Sequence, residues 1–395
     1  MPNTVKWRFV AALPELSLRE PVEAGSFAIV APSDARCSSE QLHEEARVKA
    51  YLSQFRTVGG EPVNSLLILR QETVPEPASD GLAALRNCLA LSVVLLTRAN
   101  QCSGSSGRQG PAFSDLFDFP AVRLRANGPG LIVETLGVLA IGTCETFCGH
   151  PSPTYPYHKG EPVEVDRWLW DALLKLWASE PQRGRRKKFR SRILRALEIT
   201  YTALRAPSHN FASGNDWGIT LGLWVSAFET LARETDASVN IGAVSSRIDN
   251  VPWPPRLRRK LAPYDYRSPD RRKDPLPSKS ARMTRPVQVY ARLYRARNMV
   301  LHGEDYERGR LEPGRGHKTW GPLHLEAAVV FRCLLLHVLS AQGFGTYPSR
   351  PTAAEDGRHD LGSSLRRRRD AWLAHGAYET ALGSGGRSGR AAPRH

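Results

Sequence analysis

The order of apolar and polar residues changes character along the chain. Short apolar runs rich in aromatic and β-branched residues, each bounded by Pro or Gly, occur at 7–13, 26–32 and 64–70, and such runs predict strands. Between them, 38–55 opens with serines followed by acidic residues, which indicates a helix start. The longer apolar stretch 81–99 predicts a largely buried helix. We therefore expect the N-terminal part to mix strands with helices.

From about residue 164 onwards, large apolar side chains recur three or four positions apart, which is the spacing of one helix face. A glycine-bounded apolar segment before this region, 130–142, is ambiguous between strands and a helix. The helices that we predict in the C-terminal half cover 165–179, 189–206, 216–234, 287–303 and 321–343.

The predicted fold class is α+β, with an N-terminal mixed region followed by a C-terminal α-helical bundle. We expect an N-terminal α+β domain over 1–160 and a helical bundle over 161–346, which a proline-rich basic insertion interrupts at about 251–285. Residues 347–395 are rich in Arg, Gly, Ser and Ala and have little to bury, so we expect a basic disordered tail there.

The chain has 395 residues and a formal net charge of +16. A surplus of positive charge on this scale attracts polyanions, and phosphate backbones are the commonest of these. A protein encoded by an arginine-rich genome would have the same net charge even if its function involved no anionic partner. The distribution of the charge along the chain is therefore more informative than its sum.

Two basic segments carry much of this charge. One precedes the first bundle helix, and the other lies in the insertion, where Trp253, Tyr264 and Tyr266 are interleaved. Aromatic residues among cations suit single-stranded RNA, because bases stack on rings while phosphates pair with cations; a solvated charged loop is the alternative for either segment. The first segment includes Arg186, Lys187, Lys188, Arg190 and Arg192, and the second includes Arg256, Arg258, Arg259 and Lys260. Our predicted RNA contacts are Arg186, Lys187, Lys188, Arg256, Arg258, Arg259 and Lys260.

The sequence predicts neither a membrane span nor a secreted protein. Its longest nearly apolar run, 82–96, is interrupted by Arg86 and Asn87. A buried helix therefore explains this run better than a membrane span. The N-terminal residues lack the apolar run and cleavage site of a signal peptide. Six scattered cysteines do not form a disulfide pattern. We expect a cytoplasmic protein with no membrane partner.

One cysteine cluster has spacing that could serve a metal. Cys144, Cys148 and His150 form C-x3-C-x-H, and zinc prefers four thiolate or imidazole ligands in a tetrahedron. A fourth ligand is not evident, His158 being the nearest candidate, and packed cysteines explain the pattern equally well. We predict no metal and no other cofactor.

The stretch RNMVLHGED, 297–305, places Arg297, Asn298 and His302 close together at the end of a predicted helix, with Gly303 as its natural terminator. Arg297 and His302 are about 140° apart on an ideal helix. They converge on one ligand only if the helix end loosens or a second copy supplies the facing half of the site. In the alternative of a purely structural role, His302 caps its own helix and Arg297 forms a salt bridge with Glu229 or Glu304.

The spacing of Arg297, Asn298 and His302 resembles the signature of the HEPN superfamily of helical-bundle proteins. The helix GITLGLWVSAFETLAR is similar to one in which the Apea-like branch of that superfamily places an acidic residue, and Glu229 is the matching position. The helices of that bundle are also similar in number and order to those predicted at roughly 189–206, 216–235, 286–303 and 321–342.

This resemblance implies a metal-independent endoribonuclease that acts at a homodimer interface on RNA, with a suggested role in phage defence or a toxin-like system. His302 would be the general acid or base, Arg297 would stabilise charge on the reacting phosphate, and Asn298 would orient them. Glu229 would pair with Arg297 or fix the helix packing. A regulatory ligand is expected on the N-terminal domain. The competing hypothesis is a non-catalytic sensor or interaction module that dimerises and binds nucleotide or a partner.

Overall fold

The computed structural model describes thirteen segments of the chain. In the strands formed by 122–124, 131–134 and 139–142, only the backbone is described, and the same holds for Arg185, for 214–217 and for Arg256. The described segments are 5–55, 60–102, 111, 113–118, 122–124, 131–134, 139–142, 162–179, 184–205, 214–233, 239–259, 283–303 and 323–348.

The chain folds into two compact units. The first comprises Met1–Asn87 and Phe113–Glu164, and the second comprises Cys88–Ala112 and Val165–His395. Residues 88–112 thus group with the helical part of the chain. The domain boundary at residue 160 stays a prediction, and the predicted tail lies outside the described residues from residue 349 onwards.

The first unit contains an antiparallel sheet in the order β1-β4-β3-β2, so the predicted α+β class is confirmed. A bulge between Phe9 and Ala11 shifts the register of β1 against β4. The core on one side of this sheet includes Trp7, Val48 and Tyr51. The strands are β1 (Trp7–Pro14), β2 (Val22–Ala24), β3 (Phe27–Val30) and β4 (Ser65–Gln71).

The helix predicted over 38–55 is shorter than expected, since α1 covers only Glu45–Leu52. The backbone of the preceding segment bonds to β1 instead: the Trp7 N–H donates to the Gln41 carbonyl at 2.8 Å, and the His43 N–H donates to the Trp7 carbonyl at 3.0 Å. Glu44 then adopts a left-handed conformation with φ 67°. Backbone groups engaged with a strand cannot also form helical bonds, so the helix begins after Glu44.

The ambiguous segment 130–142 forms strands. Its residues contribute β6 and β7 to a second antiparallel sheet of the first unit, in the order β5-β6-β7. These strands are β5 (Val122–Leu124), β6 (Leu131–Glu134) and β7 (Leu139–Gly142).

The helix predicted over 81–99 is α2 (Ser79–Cys102), which begins in the first unit and continues in the second from Cys88. All five helices predicted for the C-terminal half are confirmed within a few residues. Two short helices were not predicted: α7 lies within the predicted insertion, and α6 precedes it. The helices after α2 are α3 (Arg167–Ala178), α4 (Arg185–Ala203), α5 (Gly214–Ala232), α6 (Ile241–Asp249), α7 (Pro255–Arg258), α8 (Arg285–Leu301) and α9 (Leu323–Ala341).

Aromatic side chains fill the centre of the helical unit. Phe228 of α5 packs edge-on against Phe331 of α9 with ring centroids 5.5 Å apart, and its centroid is 5.4 Å from that of Tyr290 in α8. Trp224 also packs edge-on against Phe331, at 5.7 Å. Such pairs stabilise a core beyond the area that they bury. Helices α5, α8 and α9 therefore meet at one aromatic cluster.

A fully buried ion pair joins α9 to the start of α3. Arg332 Nε donates to Asp166 Oδ2 at 2.8 Å and Arg332 Nη2 donates to Asp166 Oδ1 at 3.2 Å. The same carboxylate caps α3 by accepting from the Leu169 N–H at 3.2 Å, and the Asp166 N–H donates to the Ser92 carbonyl of α2. Asp166 thus connects three helices that are distant in sequence.

Two helices in the described part of the chain, α2 and α9, are long and apolar enough to cross a membrane by length and composition. Most of each is buried inside the protein, and a core helix passes the same test. This is weak evidence for a span, and the expected absence of a membrane partner stays a prediction.

Candidate functional site

The candidate motif lies at the C-terminal end of α8. Val289, Leu293 and Ala296 of this helix are buried at helical spacing, which fixes one face of α8 against the core. The last helical residue is Leu301, and His302 is the C-cap, with its N–H donating to the Asn298 carbonyl at 3.0 Å. Gly303 follows with φ +67°, so the predicted terminator is confirmed.

His302 is exposed, while Arg297 and Asn298 are half-buried. The helical bond from the His302 N–H to Asn298 remains in place, so α8 is regular up to its cap. The helix end is therefore not loosened in a way that would bring His302 round to the side of Arg297.

The Arg297 side chain extends away from His302. Its Nη1 donates to Asn298 Oδ1 at 3.2 Å, and its guanidinium lies 5.5 Å from the centre of the Tyr294 ring. Long side chains on a helix commonly point back towards its N-terminus. Within the described segments, no hydrogen bond, ion pair or ring contact joins Arg297 to His302. The structure thus brings the Arg297 and Asn298 side chains together, and Arg297 makes none of these contacts with His302.

Glu229 lies on α5, half-buried and within electrostatic range of Arg297. Burial raises the pKa of the Glu229 carboxyl, and the charges of Arg297 and Arg233 oppose that rise. Among the residues that the structure describes, no ion pair within 4 Å joins Glu229 to Arg297, so their interaction is an attraction at longer range. The other proposed partner of Arg297, Glu304, lies outside the described residues.

Tyr290 is a functional candidate that the sequence did not reveal. Its side chain is fully buried, and its hydroxyl has no hydrogen-bond partner in the described part of the chain. Burial raises the pKa of this phenol, and the Glu229 charge raises it further. Tyr290 lies at helical spacing from Leu293, as an ordinary core residue would. The sequence therefore gave no indication that its hydroxyl is buried without a partner in the described part of the chain.

The motif end of α8 is held against α5 by a close approach at Gly218. A Cβ at this position would lie 2.2 Å from Cγ1 of Val300, so any larger residue there would require Val300 to move. The residues that follow each partner are exposed apolar side chains: Ile219 is 64% exposed and Leu301 is 67% exposed. We call Ile219 and Leu301 the apolar edge; it borders His302 along the chain.

The predicted RNA contacts fall into two groups. Arg186, Lys187 and Lys188 are exposed in the first turn of α4, and Arg258 and Arg259 are exposed at the end of α7. The side chain of Arg256 and all of Lys260 lie outside the described residues. These positions stay predictions.

Two other arginines of the first basic segment hold helix ends. Arg190 donates from Nε and Nη2 to the carbonyls of Leu176 and Trp177, at 3.2 and 3.0 Å, and so caps the C-terminus of α3. Arg192 donates from Nη1 to the Arg233 carbonyl at the end of α5. Unsatisfied carbonyls at a helix end attract such cations. The helix predicted from residue 189 begins earlier, at Arg185, and part of the charge of the first basic segment is structural.

The motif at the end of α8 and the first basic segment lie at opposite ends of α5. Helices α5 and α8 run antiparallel, because Gly218 meets Val300 and Phe228 meets Tyr290. His302 is therefore near the start of α5, whereas Arg192, close to the basic first turn of α4, contacts its end at Arg233. The length of α5 from 218 to 233 corresponds to about 22 Å at the usual helical rise.

No group of three or more His, Cys, Asp or Glu that could hold a metal occurs among the described residues. The candidate set Cys144, Cys148 and His150 lies outside them. Within the described ranges, no disulfide is formed by Cys37, Cys88, Cys102 or Cys333.

Comparisons with protein-family models, with curated proteins and with solved structures found no match to this chain. Its function is therefore inferred from the geometry and chemistry of its own residues.

Proposed function

We propose that this chain is a metal-independent endoribonuclease of the HEPN type, with a composite active site made by the α8 ends of two copies. The observation that supports it most directly is the arrangement of α8. His302 is exposed at a regular helix end, and the Arg297 guanidinium lies against the Tyr294 ring, one turn back along the same helix. One helix cannot present both groups to one phosphate, but two facing helices can.

The apolar edge supports the choice of a second copy as the facing partner. In the described part of the chain, the exposed large hydrophobic residues are Val5, Ile219 and Leu301, and two of the three lie next to the Gly218–Val300 contact. Exposed apolar residues that group together are typical of protein interfaces. Docking there would cover Leu301 and bring two His302 side chains close together.

In the proposed reaction, His302 of one copy removes the proton of an RNA 2′-hydroxyl. The 2′-oxygen forms a bond to the adjacent phosphorus as the bond to the 5′-oxygen breaks. The leaving oxygen takes a proton from the second imidazole, and the other product ends in a cyclic phosphate. Arg297 would stabilise the charge on the phosphoryl oxygens, for which a guanidinium is well suited. General acid–base catalysis contributes about 10²–10⁴-fold.

The first test is RNA digestion in EDTA by the full chain and by His302→Ala. We expect wild type to cut single-stranded RNA and the variant to lose about two orders of magnitude or more of rate. Because His302 is exposed, the variant should keep its circular dichroism spectrum and unfolding midpoint. His43→Ala, at a partly exposed histidine of the first unit, is the matched control and should cut normally. Undiminished cutting by His302→Ala would remove this residue from the mechanism.

A second candidate is a non-catalytic RNA or nucleotide sensor built on the same bundle. The contacts of Arg297 with Asn298 and Tyr294 favour it, because a guanidinium already held in place binds a phosphate without rearrangement. In that case wild type and His302→Ala would bind RNA equally, and neither would cut it.

A further inference from the structure

Basic groups from four parts of the helical unit converge at the end of α5 that is remote from His302. Arg192 belongs to α4, Arg233 follows α5, Arg247 is on α6, and His337 is on α9. We call these four residues the basic end. The exposed Arg186, Lys187 and Lys188 precede it by about one turn of α4.

The fold holds the basic end in place. Arg192 is fixed by its bond to the Arg233 carbonyl and by the Phe189 ring, which its guanidinium faces at 5.2 Å. Phe189 in turn stacks on Phe344, with ring centroids 5.9 Å apart and planes 3° apart. Helix α6 packs against both α5 and α9, and its Arg247 is within electrostatic range of Arg192 and of His337. The arrangement is therefore a built feature of the bundle, unlike a run of surface charge.

These groups repel one another. Burial lowers the pKa of Arg192, and the charges of Arg247 and Arg233 lower it further. Burial also lowers the pKa of His337, with Arg247 adding to the effect. Arg192 Nε is buried without a hydrogen-bond acceptor in the described part of the chain. An anion bound beside these groups would reduce the repulsion between their positive charges.

The described carboxylates on the same four helices interact elsewhere. Glu198 pairs with Arg195 at 2.9 Å on the exposed side of α4, and Asp249 accepts from the Thr284 hydroxyl. Glu326 pairs with Arg285 and Arg292 of α8, at 2.9 and 3.3 Å. Glu229 is attracted to both Arg297 and Arg233. Three of these four carboxylates thus interact with residues outside the basic end, and Glu229 is attracted to Arg233 within it.

We propose that the basic end binds a backbone phosphate of single-stranded RNA, as an anchor about 22 Å along α5 from His302. This rests on the proposed function, because it takes RNA as the ligand. The exposed Arg233 guanidinium would donate to the phosphate oxygens, the half-buried Arg192 would add its charge beside it, and Lys187 and Lys188 would attract the neighbouring phosphates. With this anchor, several nucleotides of the RNA strand would lie along the bundle before the strand reaches the His302 imidazole.

The test is the salt dependence of binding of a labelled oligouridylate. All proteins carry His302→Ala, so that the RNA stays intact. Each phosphate contact contributes about 0.7 to the slope of log K against log salt for single strands. We expect Arg233→Gln to reduce that slope by about 0.7 and Arg233→Gln with Lys187→Gln by about 1.4. Arg195→Gln removes the same charge from an exposed position of α4 and should leave the slope unchanged.

Two results would overturn the anchor. Equal slopes for Arg233→Gln and Arg195→Gln would mean that only diffuse charge attracts the RNA. An unchanged slope in the double variant would mean that an internal anion, such as Glu234 or Asp236 outside the described residues, already neutralises the basic end. Cleavage by the same variants with His302 restored is measured separately, so loss of the anchor and loss of the nuclease proposal give different results.

Discussion

At the residue scale, Glu229 shows how burial and charge oppose each other beside the motif. Its carboxyl is removed from water by the α5–α8 packing, which favours the protonated form, while Arg297 and Arg233 favour the carboxylate. Burial is the larger of these effects. Burying the charged Glu229 carboxylate therefore costs free energy, and its attraction to Arg297 offsets that cost only in part.

This balance predicts how stability depends on pH. The folded state holds the Glu229 proton more tightly than the unfolded state, so stability should fall as pH rises from about 4.5 through the raised pKa. Glu229→Gln should remove that fall and be more stable than wild type at neutral pH, as measured by urea unfolding across pH. Glu198→Gln, at an exposed site of α4, is the control and should change stability little. A less stable Glu229→Gln would show that the arginines outweigh burial.

The sequence predicted the candidate site only in part. The divergence of Arg297 and His302 follows from helical periodicity alone, and the structure agrees with it. The capping roles of Arg190 and Arg192 could not be predicted, because they depend on where the ends of α3 and α5 lie in space. The buried hydroxyl of Tyr290 was hidden for the same reason.

At the scale of elements, the pairing of α5 with α8 depends on one glycine. Gly218→Ala would place a methyl group against Val300, and overpacking of this kind costs about 1–3 kcal/mol. We expect urea unfolding to show that loss, and RNA cleavage to fall because the end of α8 shifts.

Gly222 provides the matched control on the same helix. A Cβ there meets nothing within 4 Å, so Gly222→Ala should stabilise the protein by about 0.5–1 kcal/mol through helix propensity. If both substitutions stabilise, the contact between Gly218 and Val300 is not a close one in solution.

Helices with a long apolar face were predictable, and short helices were not. α3, α4, α5, α8 and α9 each repeat apolar residues over several turns, so their periodicity is unambiguous. α6 has only nine residues, with Val244 and Ile248 as its buried apolar pair, which is too short a repeat to distinguish from a linker. α1 was overpredicted because the backbone before it pairs with β1, a long-range contact that local sequence does not encode.

At the scale of the whole chain, the helical unit is assembled from segments that are far apart in sequence. Asp166 and Arg332 form its fully buried ion pair, and the Asp166 backbone reaches Ser92 in α2. This connection helps to explain why the residues after Asn87 group with the C-terminal helices. A division based on sequence order alone could not find it.

Breaking this ion pair should destabilise the helical unit strongly. Arg332→Met would leave the Asp166 carboxylate buried without the guanidinium, and such losses cost about 3–5 kcal/mol. Adding Asp166→Asn should recover part of that loss, because Asn carries no charge and is an equally good helix cap. Urea unfolding of the two single variants and the double variant measures the coupling. If the double variant is destabilised by the full sum of the singles, the two residues are not coupled.

The direction of Arg297 along α8 has a consequence for how the protein would behave in a cell. If neither copy holds a complete set of reacting groups, an isolated molecule is inert, and turnover begins only when two meet. The rate per molecule would then climb with dosage, so that a modest rise in synthesis could act as the trigger. A low resting abundance would keep cellular transcripts safe without any dedicated inhibitor.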